Sequence, residues 1–127
     1  MRQEIINWIE QAEEEFETAK ASFKSKKWFA VAFWCQQSSE NMLKALYLIK
    51  KKKPTRPTHS LTYLGRELKI PNKFWTMLRE LTKEYYMSRY PDAMNDIPYK
   101  TYNKDDAKNY LNISEKIIKW TKSQIKK

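Results

Sequence analysis

Apolar residues recur along this chain at steps of three and four, the spacing that gathers them on one face of an α-helix. Ile5, Ile9, Ala12, Phe16, Ala19 and Phe23 form the first such stripe, with Glu10, Glu13, Glu14, Glu17 and Lys20 opposite. The stripe predicts a helix over residues 3–25, ended by the basic run KSKKW, since cations suit a helix C-terminus. A second and more apolar helix is predicted over 28–51, with Trp28, Ala32, Cys35, Ser39, Met42, Leu46 and Ile49 on its stripe. Its middle, QQSSEN (36–41), is a polar belt. Buried polar groups need partners, so the belt faces solvent, bonds across an interface, or lines a site.

Pro54 and Pro57 mark residues 50–60 as a connection. A short helix over 60–67 offers Leu61, Leu64 and Leu68 to a core, and Gly65 near its end weakens it and is expected to help stop it. A further helix is predicted over 72–87, with Asn72 as its N-cap. Residues 88–102, with Pro91 and Pro98, read as a loop. The last long helix starts after Asn103, a good N-cap, with Asp105 and Asp106 in its first turn. Its inner face runs from Ala107 through Ser114, Ile117 and Ile118 to Ile125, and its outer face is lysine-rich.

The expected fold is therefore all-α: an up-and-down four-helix bundle with one additional short helix, in a single domain spanning 1–127. Trp8, Trp34, Trp75 and Tyr86 lie off the main stripes, and this surplus of apolar surface predicts a homodimer.

Composition narrows the chemistry. One Gly in 127 residues disfavours all-β folds and Gly-rich phosphate loops. One Cys and one His exclude an internal disulfide and a multi-His zinc site within the chain. No metal and no cofactor is expected, and no catalytic residue is assigned. Cys35, in an apolar run, reads as a small buried hydrophobe. The carboxylate clusters 13–15 and 105–106 read as a solvated face and a helix N-terminus. No signal peptide or membrane-length apolar run is visible, so the expectation is a cytoplasmic protein without membrane contact. The formal charge of +10 attracts polyanions without proving a nucleic-acid partner.

Candidate chemistry concentrates in YYMSRYPDAMND (85–96), a bulky, mixed-charge stretch where a plain turn needs only Gly or Asn. Arg89 offers a planar fork of donors to phosphate or carboxylate, Tyr90 a platform, and Asp92 a carboxylate close behind. Two readings stand: Asp92 or another acid pairs internally with Arg89, or Arg89 reads an external anion. Lys44 lies one helical turn from Glu40, and either snorkels to the surface or joins the site. His59 either helps cap the short helix or belongs to the site; no partner for it is visible in sequence.

Taken together, S-S-E-x-x-L-K-A-L (38–46), T-H-S-L (58–61) and R-Y-P-D (89–92), followed by a helix opening DDAKNYLNISEKII, resemble the HEPN domain family from the second helix to the last. The resemblance implies a dimeric helical bundle. It implies one of two roles: a metal-independent endoribonuclease, often a toxin of a toxin–antitoxin pair, with an R-x4–6-H motif, or a binder of nucleotides or of a minimal nucleotidyltransferase. The motif histidine would fall at Met94, Asn95 or Asp96, and none is His. R-Y-P-D is similar to the nucleotide- and nucleotidyltransferase-linked branch, as in the domain at the end of sacsin. The expected function is thus a binding module for nucleotide or RNA phosphate, or for a nucleotidyltransferase. Its expected ligand-binding residues are Arg89, Tyr90, Asp92, Lys44, Glu40, Ser39 and His59. An endoribonuclease with a degenerate motif and a pure protein-interaction subunit are the alternatives. In an up-and-down bundle the ends of the second and fourth helices point to opposite poles, which separates His59 from Arg89 within one chain.

Overall fold

A computed structural model describes all residues, Met1–Lys127. The chain is all-α. Helices α1 (Gln3–Lys24), α2 (Trp28–Lys51) and α8 (Lys104–Ile125) form the body of the bundle. Between them run α3 (Leu61–Glu67), a 3-10 turn (Asn72–Phe74), α4 (Trp75–Thr82), α5 (Glu84–Met87), α6 (Pro91–Met94) and α7 (Pro98–Thr101). The apolar stripes meet as their spacing requires. Leu43 and Leu46 of α2, Leu61 and Leu64 of α3, Leu78 and Leu81 of α4, and Ile117 of α8 close one continuous core. Each fully buried side chain of this size contributes on the order of 2 kcal/mol. No helix is long and apolar enough to cross a membrane.

The ends of the long helices fall within a residue of expectation, and Asn103 caps α8. Its side chain accepts from the Asp106 amide, and Asp106 returns the bond to the Asn103 amide. The middle of the chain departs more. The helix expected over 72–87 is broken in three, and Asn72 lies inside the 3-10 turn rather than capping a helix. The loop over 88–102 holds two single-turn helices, each with a proline at its start. Gly65 does not stop α3. It lies within the helix because Leu78 and Ile70 pack where its Cβ would be, at 2.6 and 3.0 Å. Left-handed backbone falls instead on Lys26, Lys52, Lys69 and Asn95, positions that more often carry glycine.

Trp34 and Trp75 are half-buried against the core of their own chain, and Trp8 is half-buried near Lys44. Only Tyr86 of the four off-stripe aromatics is exposed. The exposed large apolar residues other than Met1 are Tyr86, Tyr90, Ile97 and Tyr99, all on one segment.

Candidate functional site

The polar belt of α2 divides by helical phase. Ser38, Ser39 and Asn41 face the neighbouring long helices. The Ser38 hydroxyl donates to the Ala12 carbonyl at 2.8 Å, and Ser39 and Ser114 share a hydrogen bond of 2.9 Å. Asn41 donates to Glu15 at 2.7 Å. Ser39 is fully buried and reaches no surface; it ties α2 to α8. Glu15 is buried too, so the acidic run 13–15 is not wholly a solvated face. Burial pushes its carboxyl above the usual range, against the bonds from Asn41 and Gln11. Burial likewise pushes the Cys35 thiol far up, leaving it inert.

Gln36, Glu40 and Lys44 form the other phase, stacked at steps of four. Glu40 is a hub, with its side chain only 3% exposed. Oε2 accepts from Lys44 Nζ at 2.8 Å, and Oε1 from His59 Nδ1 at 3.1 Å. Gln36 and Gln37 each donate to Oε1 at 3.3 Å. Lys44 is thus a partner of Glu40 rather than a free surface lysine. Its ammonium also lies 5.8 Å from the ring of Trp8. An ionised carboxylate only accepts, so Nδ1 of His59 donates, and Nε2 is left as an acceptor with no partner in the chain.

His59 reaches mid-α2 because the 52–60 connection doubles back. Its carbonyl accepts from Gln36 Nε2 at 2.9 Å. Gln36 lies about four turns before the end of α2, roughly 20 Å along its axis. An extended stretch of eight residues spans that distance, and Pro54 and Pro57 keep it from coiling. Ser60, not His59, caps α3, accepting from the Tyr63 amide.

The fold-back overturns the expected separation of His59 and Arg89. The imidazole stacks on Tyr85 at 3.6 Å and 11°, and the Arg89 guanidinium lies 4.4 Å from the same ring. Phe33 at 4.4 Å and Tyr90 at 4.8 Å complete an aromatic cage around the cation. Arg89 Nε donates to the Tyr85 carbonyl at 3.1 Å, and Nη2 is shut off from solvent with no hydrogen-bond partner. No carboxylate pairs with Arg89. Asp92 is exposed in the first turn of α6 and does not bond to it.

Arg89 is held in place by the turn before it. Glu84, five residues back, is buried and bonded by the hydroxyls of Tyr102 and, at 3.1 Å, Tyr110. The Ser88 hydroxyl donates to the Glu84 carbonyl. Of the seven expected residues, the structure brings together Glu40, Lys44, His59, Arg89 and Tyr90. Ser39 lies inside the bundle and Asp92 outside the cluster. Gln36 enters as part of the expected polar belt, whereas Phe33 and Tyr85 are added by the structure. The four-residue steps 36, 40 and 44 were visible in the sequence, whereas nothing local marks Tyr85 as the ring between His59 and Arg89.

No curated protein matches the chain. Among solved structures, it is similar to the crystal structure of TT1696 from Thermus thermophilus, with a TM-score of 0.87 and 25% identity over 97% of this chain and 99% of that one. It is also similar to ST0689, an archaeal HEPN homologue, with a TM-score of 0.79 and 29% identity over 98% of this chain and 99% of the other. A family model described as HEPN domain matches residues 6–124. With that match over nearly its whole length, the chain belongs to the HEPN domain family.

Proposed function

We propose that this HEPN domain is a non-catalytic binding module that engages the phosphate of a nucleotide or nucleic acid through Arg89. One observation carries the reading: Arg89 is a half-buried cation with no counter-ion. A guanidinium taken partly out of water needs compensation, and three rings supply only part of it. A phosphate supplies the missing charge. Tyr90 flanks the cation, and the Glu40–Lys44–His59 hub fixes the neighbouring wall. Tyr86, Tyr90, Ile97 and Tyr99 give the module an apolar end suited to a second copy, hence a homodimer, or to a minimal nucleotidyltransferase. Titration of a short RNA at two salt concentrations tests the reading. Affinity falls as salt rises, and Arg89→Ala lowers it by about tenfold or more. Unchanged affinity in Arg89→Ala defeats the proposal.

The Glu40–His59 pair favours a second reading, a metal-independent endoribonuclease. A buried carboxylate that orients an imidazole and leaves Nε2 open is an arrangement suited to general-base catalysis, and Arg89 shares the ring on which that imidazole lies. Cleavage of labelled RNA in the presence of a chelator, lost in His59→Ala, selects this reading. Intact RNA with retained binding selects the first.

A further inference from the structure

Where the 3-10 turn and α4 pack on α8, an open groove of about 490 Å³ remains. Its floor is Phe74, Met77 and Trp120, and its rim is Lys73, Lys116 and Lys119. None of these residues belongs to the Arg89 cage, the Glu40 hub or the exposed tyrosine end. Lys116 and Trp120 lie one turn apart on α8, so a cation stands directly beside the apolar floor. Phe74 is buried, and Met77 and Trp120 are half-buried against the core. The two rings meet at 6.0 Å with a tilt of 52°. The three lysines come from both walls, and no acidic residue lines the groove. Lys73 and Lys116 have no carboxylate partner. Lys119 lies 3.7 Å from Glu115, but both side chains are exposed, and such a pair holds a lysine only weakly. The Lys73 ammonium lies 5.5 Å from the centre of the Phe74 ring, at the mouth of the groove.

A concave apolar floor ringed by cations fits an occupant with apolar side chains and carboxylates on one face. Methionine adapts to the shape of what packs on it, and tryptophan is a frequent anchor of protein interfaces. Single-stranded nucleic acid stacks its bases on exposed ring faces, whereas both rings here pack into the core. A lipid surface takes up protruding apolar side chains, and this floor is recessed. A second copy of the chain fits poorly: its acidic face, on α1, carries no exposed large apolar residue. We propose that the groove docks an acidic, amphipathic segment of a partner protein. Bulky aliphatic side chains of that segment enter between Met77 and Trp120, and flanking aspartates or glutamates reach Lys73, Lys116 and Lys119. The surface is separate from Arg89 and does not depend on phosphate binding there.

Fluorescence anisotropy of the full chain with a labelled peptide tests the groove. The peptide carries two leucines one helical turn apart, flanked by glutamates. It binds with a Kd on the order of 10–100 µM, and the same peptide with alanines in place of the leucines binds about tenfold more weakly. The double variant Lys73→Glu/Lys116→Glu weakens the leucine peptide by about tenfold. Both lysines are exposed, so its melting temperature is unchanged. The same charge change outside the groove, Lys50→Glu/Lys53→Glu, alters the affinity by no more than about twofold. If the alanine peptide binds as well as the leucine peptide, the apolar floor is not used and the proposal fails. Equal weakening by the two double variants reduces the attraction to net charge and also defeats it. If a short RNA displaces the peptide and is itself weakened about tenfold by Lys73→Glu/Lys116→Glu, the groove belongs to nucleic acid instead. If the parent self-associates in sedimentation and that variant does not, the occupant is a second copy and the proposal is wrong. No peptide binding at millimolar concentration sinks it outright.

Discussion

Two carboxylates are buried in this bundle to nearly the same degree, Glu84 at 1% exposure and Glu40 at 3% for its side chain, and they serve different ends. Glu84 is closed on all sides. Its oxygens accept from the hydroxyls of Tyr102 and Tyr110, no cation pairs with it, and burial pushes its carboxyl above the usual range despite those bonds. Glu40 is compensated by the Lys44 ammonium and opens through His59, whose side chain is 42% exposed. A buried acid without a cation favours its neutral form and acts as a clasp between α5, the turn at Tyr102 and α8. Glu40 accepts from Lys44 on one oxygen and orients an imidazole at the surface with the other. Burial alone therefore does not mark a functional carboxylate; the exit from the hub does.

The comparison is broken most directly at the clasp. Glu84→Ala leaves two tyrosine hydroxyls without their acceptor and opens a void. The cost is about 3 kcal/mol, read as a fall of roughly 10 °C in melting temperature, with ligand affinity retained below the new transition. Glu40→Ala costs less, about 2 kcal/mol. Lys44 is left without its counter-ion but is 13% exposed and finds water. Unlike the clasp variant, it also releases His59, seen as chemical-shift changes at the imidazole.

The pH dependence separates the clasp from the hub next. A carboxyl raised in the folded state binds a proton more tightly there than in the unfolded chain. Its contribution is full below the unfolded value, near 4.5, and is lost as pH rises through the raised folded value. Glu84→Gln removes this slope. Stability measured by denaturant at several pH values above 4.5 falls less steeply with rising pH in the variant than in the parent.

The smallest stability effect is expected at Arg89. Arg89→Met removes a cation that has no counter-ion and a nitrogen that has no partner. It also loses one bond to a carbonyl and the ring contacts. The opposing terms leave stability within about 0.5 kcal/mol of the parent, while phosphate affinity is lost. A large destabilisation here makes Arg89 a structural residue like Glu84.

Much of the fold was legible because helix periodicity is local. Stripes at steps of three and four, the prolines and Asn103 placed the long helices and the cap of α8. The sequence also held Arg89 and Tyr90 together, since they are neighbours, and Lys44 beside Glu40, since they lie one turn apart. It misplaced His59, because the return of the 52–60 segment depends on a hydrogen bond to a residue more than twenty positions away. It overvalued Ser39, because a polar residue on a core stripe looks the same whether its partner is a ligand or another helix.

By itself, the order of residues determined the three long helices, the faces they bury and the membership of the HEPN family, each of which follows from short-range spacing or motif. Only the tertiary structure decided which buried polar groups find partners in the chain and which do not. That balance is set by residues distant in sequence: Tyr110 satisfies Glu84 from α8, while no acid from any element reaches Arg89.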